Sequence, residues 1–370
     1  MLAALAAITT ATSTVSGQVK VDLKKFPEYS PRVKVDKHLV AKPDVKRPDY
    51  VNNAESIYFP PIISQVSNSC GSAAGIYYMF GYEINRYRGV SGKLPENQYP
   101  THFTWLHAMS SYEYKEKIAM ANGIPNNPTY GGQIYSSLFG MQECSDNDFG
   151  WMQGYDKWYS AMFNRLESVK TEEGREAVKQ WLWNHGGNPD YPGGGICNVD
   201  VASKMTIGKI PASLQNYKLG VTGKKYVARW GDTFDHELTL VGYDDRIEFD
   251  LDGNAVIGEK DKDEVGAWIL VNSWGGNWAN KGFIYCPYKN AVVTSAGDDY
   301  YVPQIYYVRR NYRPLRTMRI KMDYSKRSEL RLSAGISEDL NATTPQKTTY
   351  FEMFKYSGNG DSSKDAESPM

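Results

Sequence analysis

The chain has 370 residues, enough for one large domain or two ordinary ones, and 41% of them are hydrophobic, which can supply a buried core. Lys and Arg total 42 and Asp and Glu also total 42, so the formal net charge is zero, which disfavours nucleic acid as a partner. The mean hydropathy of -0.54 argues against a membrane protein, and no run is long and apolar enough to form a transmembrane segment.

The chain begins with a pattern typical of an export signal. Residues 2–8 are apolar but too few to span a bilayer, and residues 15–17 resemble a small-residue cleavage site. We therefore predict a signal peptide over residues 1–17, although a basic start is missing, and a secreted, periplasmic or cell-surface location in a bacterium. Residues 18–59 are polar and predict an N-terminal arm packed on the domain or a short propeptide, and residues 33–40 fit an edge strand.

The first segment that suggests chemistry contains Gln65 and Cys70. Small residues and then an apolar helical pattern follow Cys70, so we predict a helix from Cys70 to about Arg88 that ends near Gly89. At a helix N-terminus the macrodipole favours a thiolate, and backbone N–H groups there can hold an oxyanion. The side chain of Gln65 can supply a second donor.

The middle of the chain predicts helices and loops. One helix is predicted around residues 103–109 and another over residues 158–184, with Gly174 as a point where the second can break. A glycine-rich loop at residues 186–195 follows, and loops of this length often line an active site and set specificity. The two adjacent glycines at residues 131–132 are interpreted as a turn that needs positive φ rather than as an edge that binds peptide.

Two apolar runs, predicted as buried strands, carry the other candidate residues. His236 opens the run that ends at Tyr243, and Asn272 closes the run at residues 267–271. A histidine that accepts a thiol proton needs a group on its other ring nitrogen to fix its orientation, and a side-chain amide can accept that N–H. The sequence therefore predicts Cys70 as a nucleophile, His236 as its base and Asn272 as the group that orients the base.

An acidic stretch, residues 244–264, lies between these two strands. Its segment from Asp250 to Asn254 faintly resembles a calcium loop, but Asp261 stands at the twelfth place, where such a loop has Glu, and the glycine comes early. We therefore favour a hairpin turn at residues 252–254 and predict no metal site.

The sequence changes character after the main domain, which we assign to residues 60–308. Residues 317–324 and 329–336 alternate with period two and predict a β-hairpin, and residues 349–355 suggest a further strand. Two or three strands cannot bury a core alone. Residues 309–370 are therefore predicted to form a β-rich C-terminal extension, either a truncated β-sandwich or a module docked on the main domain.

The four cysteines leave two arrangements open. Cys144 and Cys197 lie in glycine-rich loops of the middle region, where a disulfide would help. The alternative leaves both of them, and Cys286, reduced and buried.

The segment around Asn272 is the most specific likeness to a known family. The run at residues 268–275, with Trp278 and Gly282 following, resembles that of papain-like cysteine peptidases, in a divergent bacterial form. In that family the counterpart of Asn272 orients the catalytic histidine, and the counterpart of Trp274 shields their hydrogen bond from water.

This resemblance implies an α+β, two-lobed fold, with a helical lobe, a β-rich lobe and the site in the cleft between them. It implies a cysteine peptidase that hydrolyses peptide bonds of a peptide or protein substrate through a thioester. It assigns catalysis to four residues, Cys70, His236, Asn272 and Gln65. It requires no metal or organic cofactor, and we expect a monomer.

The segment near Cys70 leaves two alignments with the family open. In the first, Cys70 is the nucleophile and Gln65 lies one residue closer than usual, which a loop can absorb. In the second, Cys70 matches an earlier family cysteine and Ala73 takes the catalytic position, so the protein would be inactive. We favour the first, because bacteriocin-processing peptidases place Cys-Gly-x-Ala after an upstream Gln and because an intact His236 and Asn272 would have little use beside an alanine.

Two other functions also stay open at this stage. A catalytically inactive scaffold would bind peptide or cell-surface glycan, with the β extension as an adhesion module. A transferase would keep the chemistry but pass the acyl group to an amine instead of water.

Overall fold

The computed structural model describes residues 3–4, 17–18, 46–66, 68–108, 124, 126–130, 161–165, 169–187, 192–291, 303–308 and 333–350. Its strands are β1 (Ala3–Ala4), β2 (Gly17–Gln18), β3 (Tyr50–Asn52), β4 (Ala161–Arg165), β5 (Cys197–Val201), β6 (Met205–Lys209), β7 (Lys225–Trp230), β8 (His236–Glu248), β9 (Val265–Val271), β10 (Phe283–Pro287), β11 (Gln304–Val308), β12 (Ser333–Ile336) and β13 (Lys347–Tyr350). Its α-helices are α1 (Cys70–Ser72), α2 (Gly81–Arg88), α3 (Thr101–Ala108), α4 (Asn127–Tyr130), α5 (Glu172–Asn184) and α6 (Leu214–Lys218), and a π-helical segment, Ala73–Phe80, joins α1 to α2.

A mixed sheet organises the described part of the chain. Its strand order is β4-β11-β5-β8-β9-β10-β7-β6, and β3 also pairs with β8. Strands β10 and β7 run parallel, whereas the other neighbours are antiparallel. Helices together with a mixed sheet confirm the predicted α+β class.

The central strands are buried on both faces. Along β9, Ile269 and Val271 belong to one buried cluster, whereas Trp268 and Leu270 belong to another. Because side chains alternate along a strand, the two clusters lie on opposite faces of the sheet. Burial of both faces explains why these segments read as continuous apolar runs in the sequence.

The helical stretch from α1 to α2 covers the first face. Its Ile76 and Met79 are fully buried in the same cluster as Val241 and Ile269. It ends at Gly89, whose φ of 67° is the left-handed conformation in which glycine commonly ends a helix. The predicted helix from Cys70 to about Arg88 is therefore confirmed, although its π-helical middle was not predicted.

Helix α5 covers the opposite face, with Val178 and Trp181 in the cluster that contains Leu270. It begins only after Thr171, whose side chain accepts a hydrogen bond from the backbone N–H of Gly174. The prediction of a helix over residues 158–184 is therefore wrong in its first part, because residues 161–165 form β4 and pair with β11.

The described part of the predicted N-terminal arm packs on the sheet. Strand β3 pairs with residues 242–244 of β8. Just before it, the guanidinium of Arg47 contacts Glu176 of α5 at 2.8 Å and also the carboxylate of Asp245. Lys179 reaches Asp245 at 2.8 Å, so these charges tie the arm to both α5 and β8.

One further prediction is wrong, and one of the two cysteine arrangements left open is excluded. The turn at residues 252–254 does not close a tight hairpin, because β8 ends at Glu248 and β9 begins only at Val265. Cys197 and Cys286 are reduced and buried, so Cys197 does not form the disulfide considered with Cys144, which lies outside the described residues.

Part of the C-terminal prediction can be compared with the structure. Strand β12 falls within the predicted strand at residues 329–336, and it pairs with β13. Its predicted partner, residues 317–324, lies outside the described ranges, as do residues 33–40 and 131–132. No helix in the described ranges combines the length and the apolar character needed to cross a membrane.

Candidate active site

Strands β8 and β9 bring His236 and Asn272 together. Because Thr239 of β8 pairs with Val271 of β9, the start of one strand lies beside the end of the other. His236 Nε2 lies 2.9 Å from Asn272 Oδ1, and both residues are buried. The backbone N–H of Ser273 also donates to Asn272 Oδ1, at 2.7 Å, which supports this atom as the amide oxygen.

This contact fixes the histidine tautomer. An amide oxygen only accepts, so the ring proton that faces Asn272 is on Nε2 and the neutral ring keeps its lone pair on Nδ1. Burial lowers the pKa of His236 below its ordinary value, even though the hydrogen bond to Asn272 opposes that shift. The ring is therefore a neutral base with one nitrogen held by the amide.

Trp274 covers the pair. Its indole stacks on the His236 ring with centroids 4.7 Å apart and an interplanar angle of 26°. Trp278 contacts Trp274 edge-on, with centroids 5.5 Å apart. Apolar cover of this kind keeps water from competing for the hydrogen bond between the imidazole and the amide.

The segment that carries Gln65 is bonded to the segment after Asn272. The backbone N–H of Gln65 donates to the Ser273 carbonyl at 2.6 Å, and the N–H of Gly275 donates to the Ile63 carbonyl at 2.9 Å. The Ser273 hydroxyl also donates to Gln65 Oε1 at 2.6 Å. The Gln65 side chain is thus held by its oxygen, so its amide NH₂ group is the end suited to an oxyanion.

Cys70 is the first residue of the helical stretch and is buried. The stretch lies against β8, where the Thr239 hydroxyl donates to the Ala74 carbonyl at 3.2 Å. Ala73 lies within the first turn, where its N–H donates to the Ser69 carbonyl at 2.8 Å. The helix N-terminus, the position that favours a thiolate, is therefore occupied by Cys70 and not by Ala73.

The other two described cysteines differ from Cys70 in their surroundings. Both are completely enclosed, and burial raises the pKa of Cys286 to about 12 and that of Cys197 well above its ordinary value. A buried thiol with a raised pKa is chemically inert.

Asp235, which precedes the histidine, serves a neighbouring loop. Its carboxylate accepts from the Ser203 backbone at 2.6 Å and from the Ser203 hydroxyl at 2.7 Å. Burial alone would raise the pKa of Asp235, but these hydrogen bonds hold it below its usual range. The group bonded to the His236 ring is therefore the Asn272 amide.

Sequence reasoning missed the contribution of Ser273. Its hydroxyl binds a residue 208 positions earlier in the chain, and no local pattern reports such a contact. The only sign of this role in the sequence was the position of Ser273 directly after Asn272.

Comparison with known protein families supports the chemistry of a cysteine peptidase. The model of the papain family of cysteine proteases matches residues 198–301, a region that contains His236 and Asn272 but not Gln65 or Cys70. This part of the chain is therefore of the papain-like cysteine peptidase type. A comparison with curated protein sequences gave no match.

Solved structures that resemble the chain include three cysteine protease precursors or proforms. The proform of the Amb a 11 cysteine protease, a ragweed pollen allergen, is 14% identical over 72% of this chain and 67% of its own, with a TM-score of 0.40. Recombinant stem bromelain precursor is 13% identical over 75% and 74%, with a TM-score of 0.39. Digestive procathepsin L 3 of the Tenebrio molitor larval midgut is 13% identical over 74% and 75%, with a TM-score of 0.43.

Proposed function

We propose that this cysteine peptidase hydrolyses peptide bonds with Cys70, His236, Asn272 and Gln65. Cys70 Sγ attacks the scissile carbonyl while His236 takes the thiol proton on Nδ1. The tetrahedral oxyanion accepts hydrogen bonds from the Cys70 backbone N–H and the Gln65 amide. His236 then gives the proton to the leaving amine, and a thioester remains.

Water completes the cycle. His236 removes a proton from the water, which attacks the thioester, and the Cys70 thiol leaves as the peptide acid is released. In this scheme Asn272 positions the imidazole and does not exchange protons. The chemistry uses a peptide or protein substrate and no metal or organic cofactor.

The observation that carries this proposal is the hydrogen bond between His236 Nε2 and Asn272 Oδ1 beneath Trp274. A histidine held in this way has one nitrogen committed to orientation and the other available for proton transfer. That division of tasks suits a thiol enzyme, and a peptide-binding scaffold has no use for it.

We further propose that the protein acts outside the bacterial cytoplasm, exported by the segment at residues 1–17, and that it acts as a monomer. The apolar residues 2–8 and the small residues 15–17 support export. Mass spectrometry of the N-terminus of protein recovered from culture medium or periplasm tests this point.

Hydrolysis of a fluorogenic peptide mixture tests the proposed chemistry. Cys70→Ala should remove turnover entirely and leave the melting temperature nearly unchanged. Cys286→Ala is the matched control, because it deletes a buried thiol that lies in strand β10, and it should retain activity. Full turnover by Cys70→Ala would refute the mechanism, as would a wild-type protein that binds peptides without cleaving them. Exclusive formation of amides with an added amine would show a transferase instead.

A further inference from the structure

The loop between β8 and β9, residues 249–264, lies at the other end of these strands from His236 and Asn272. From residue 250 to residue 264 it carries six carboxylates and two lysines. The proposed peptidase chemistry uses none of them, and a surplus of negative charge in one loop calls for a counter-ion.

Three of these carboxylates converge. Oxygen atoms of Asp250, Asp252 and Glu264 lie within 4.8 Å of one another. Asp250 and Asp252 come from the start of the loop, whereas Glu264 is its last residue and directly precedes β9. Two ligands of one calcium ion, bound at 2.3–2.6 Å, lie at most about 5 Å apart, so these oxygens are within reach of a single Ca²⁺.

The burial of Glu264 is a second feature of this cluster that favours a cation. Its side chain is completely buried, and Oε1 accepts from the backbone N–H groups of Leu251 and Asp252 at 2.7 and 3.2 Å. Its other oxygen, Oε2, has no hydrogen-bond partner among the residues that the structure describes. A buried carboxylate oxygen without a donor is costly, and a bound cation would satisfy it.

Backbone N–H groups of the loop also donate hydrogen bonds to the other two carboxylates. Asp250 accepts from the N–H groups of Gly253 and Ala255, and Asp252 accepts from that of Asn254. Ala255 has a φ of 68°, although it is not glycine. Counted from Asp250 it is the sixth residue, where the calcium loop of an EF-hand makes its sharp turn with glycine.

We propose that this loop binds Ca²⁺ through Asp250, Asp252 and Glu264, with the Asn254 amide oxygen and the Val256 carbonyl as further ligands. Asp250, Asp252 and Asn254 occupy the first, third and fifth places of a calcium loop, and Val256 occupies the seventh. A calcium loop has a glutamate ligand at its twelfth place, where this chain has the exposed Asp261. Glu264 supplies that carboxylate instead. All these ligands are oxygens, which suits a hard cation.

Lys262 does not replace the ion. Its ammonium contacts Asp252 at 2.8 Å and Glu259 at 3.0 Å, but neither it nor any other described residue bonds to Glu264 Oε2. The lysine side chain is 35% exposed and can turn into solvent when Ca²⁺ enters. It therefore competes with the ion at one ligand and lowers the affinity.

The bound ion has a structural role. It links Asp250 and Asp252, which follow β8, to Glu264, which directly precedes β9, and so it stabilises the strand pair that holds His236 and Asn272 at its other end. This inference does not depend on the peptidase chemistry. Because Ca²⁺ would bind the folded protein and not the unfolded chain, it should raise the melting temperature by mass action.

Calorimetric titration of the full-length, chelator-treated protein with CaCl₂ tests the site, together with thermal unfolding in Ca²⁺ or Mg²⁺. We expect one bound Ca²⁺ and a melting temperature about 4 °C or more higher in excess Ca²⁺. Asp252→Asn should weaken binding at least about tenfold, because affinity follows the number of charged ligands. Lys262→Gln should strengthen it.

Asp261→Asn is the matched control, because it removes an exposed carboxylate of the same loop that lies outside the cluster. Its affinity should stay within about twofold of the wild type, since it removes no ligand. Glu264→Gln should abolish binding, and Asp250→Asn serves if that buried variant does not fold. Absence of binding in the wild type would overturn the proposal. An equal loss in Asp261→Asn, or an equal effect of Mg²⁺, would overturn it too.

Discussion

At the scale of single residues, the environment of His236 determines what the site can do. Its partner is a neutral amide, and burial lowers its pKa, so the imidazole is uncharged near pH 7. A carboxylate in the place of Asn272 would favour the imidazolium. The amide fixes the ring orientation and leaves the ring able to accept a proton.

Asn272→Asp tests this balance. A negative charge within hydrogen-bond distance of Nε2 should raise the pKa of His236 by about one unit or more. Titration of the His236 ring by NMR measures this value directly. Asn341→Asp, an exposed change between β12 and β13, adds the same charge elsewhere and should leave the value unchanged. An unshifted or lowered pKa in Asn272→Asp would contradict the assignment of Asn272 as the partner.

Much of this residue-scale arrangement could be predicted from the sequence. His236 begins an apolar run and Asn272 ends another, and adjacent antiparallel strands bring such ends together. The Ser273 contact with Gln65 could not be predicted, because it joins two loops whose approach depends on the whole fold. That no described residue bonds to Oε2 of Glu264 likewise becomes visible only once β9 is placed.

At the scale of elements, the close approach of β3 to β8 requires a glycine. Asn52 of β3 pairs with Gly242, at a register shift of β8 against β9. A Cβ at residue 242 would come within 2.0 Å of the Val51 carbonyl oxygen. Backbone atoms cannot move aside as a flexible side chain can, so any larger residue here must push β3 away.

Gly242→Ala should therefore destabilise the protein by about 2 kcal/mol or more, the cost typical of overpacking a well-filled interior. Denaturant unfolding measures the loss of free energy. Gly276→Ala is the control, because a Cβ there meets nothing within 4 Å, and its effect should be within about 0.5 kcal/mol. Equal stability of the two variants would show that β3 does not pack as described.

The elements also show where sequence patterns fail. The helix that begins at Cys70 was predictable because its apolar run is long and ends at a glycine. The segment before Thr171 was predicted as helix from the spacing of its apolar residues, yet residues 161–165 pair with β11. Pairing with a strand about 140 positions away in sequence overrides local propensity there.

At the scale of the whole molecule, acid stability depends on buried groups that must stay in one charge state. His102 of α3 is 1% exposed, and its Nε2 has no hydrogen-bond partner within the described part of the chain. Burial lowers the pKa of His102 to about 4. His102 therefore takes up a proton less readily in the folded protein than in the unfolded chain, where a histidine titrates near pH 6.5.

The sign of the pH effect follows from this difference. The stability contributed by neutral His102 is complete above pH 6.5 and falls as the pH drops from 6.5 towards 4. We expect a loss on the order of 2 kcal/mol between pH 7 and pH 4 from this residue. Unfolding in denaturant at several pH values should show that the free energy of unfolding depends less steeply on pH in His102→Gln than in the wild type. An identical dependence in the variant would contradict this contribution.

The sheet also determines how the molecule is organised. Strand β3 comes from the predicted arm, residues 18–59, and β11 comes from the end of the predicted domain, residues 60–308. One sheet therefore combines strands from residue 50 to residue 308. Composition could not show that part of the predicted arm completes the sheet, because β3 has only three residues.

The role of Cys70 as the nucleophile can be tested by the rate at which iodoacetamide alkylates each cysteine at pH 6, measured by peptide mapping. We expect Cys70 to react about a hundredfold faster than Cys197 and Cys286, since of these three it alone begins a helix and the proposed mechanism gives its proton to His236. His236→Ala should remove that advantage. Alkylation of Cys70 in the folded protein no faster than that of the two enclosed thiols would contradict the claim that Cys70 is the nucleophile.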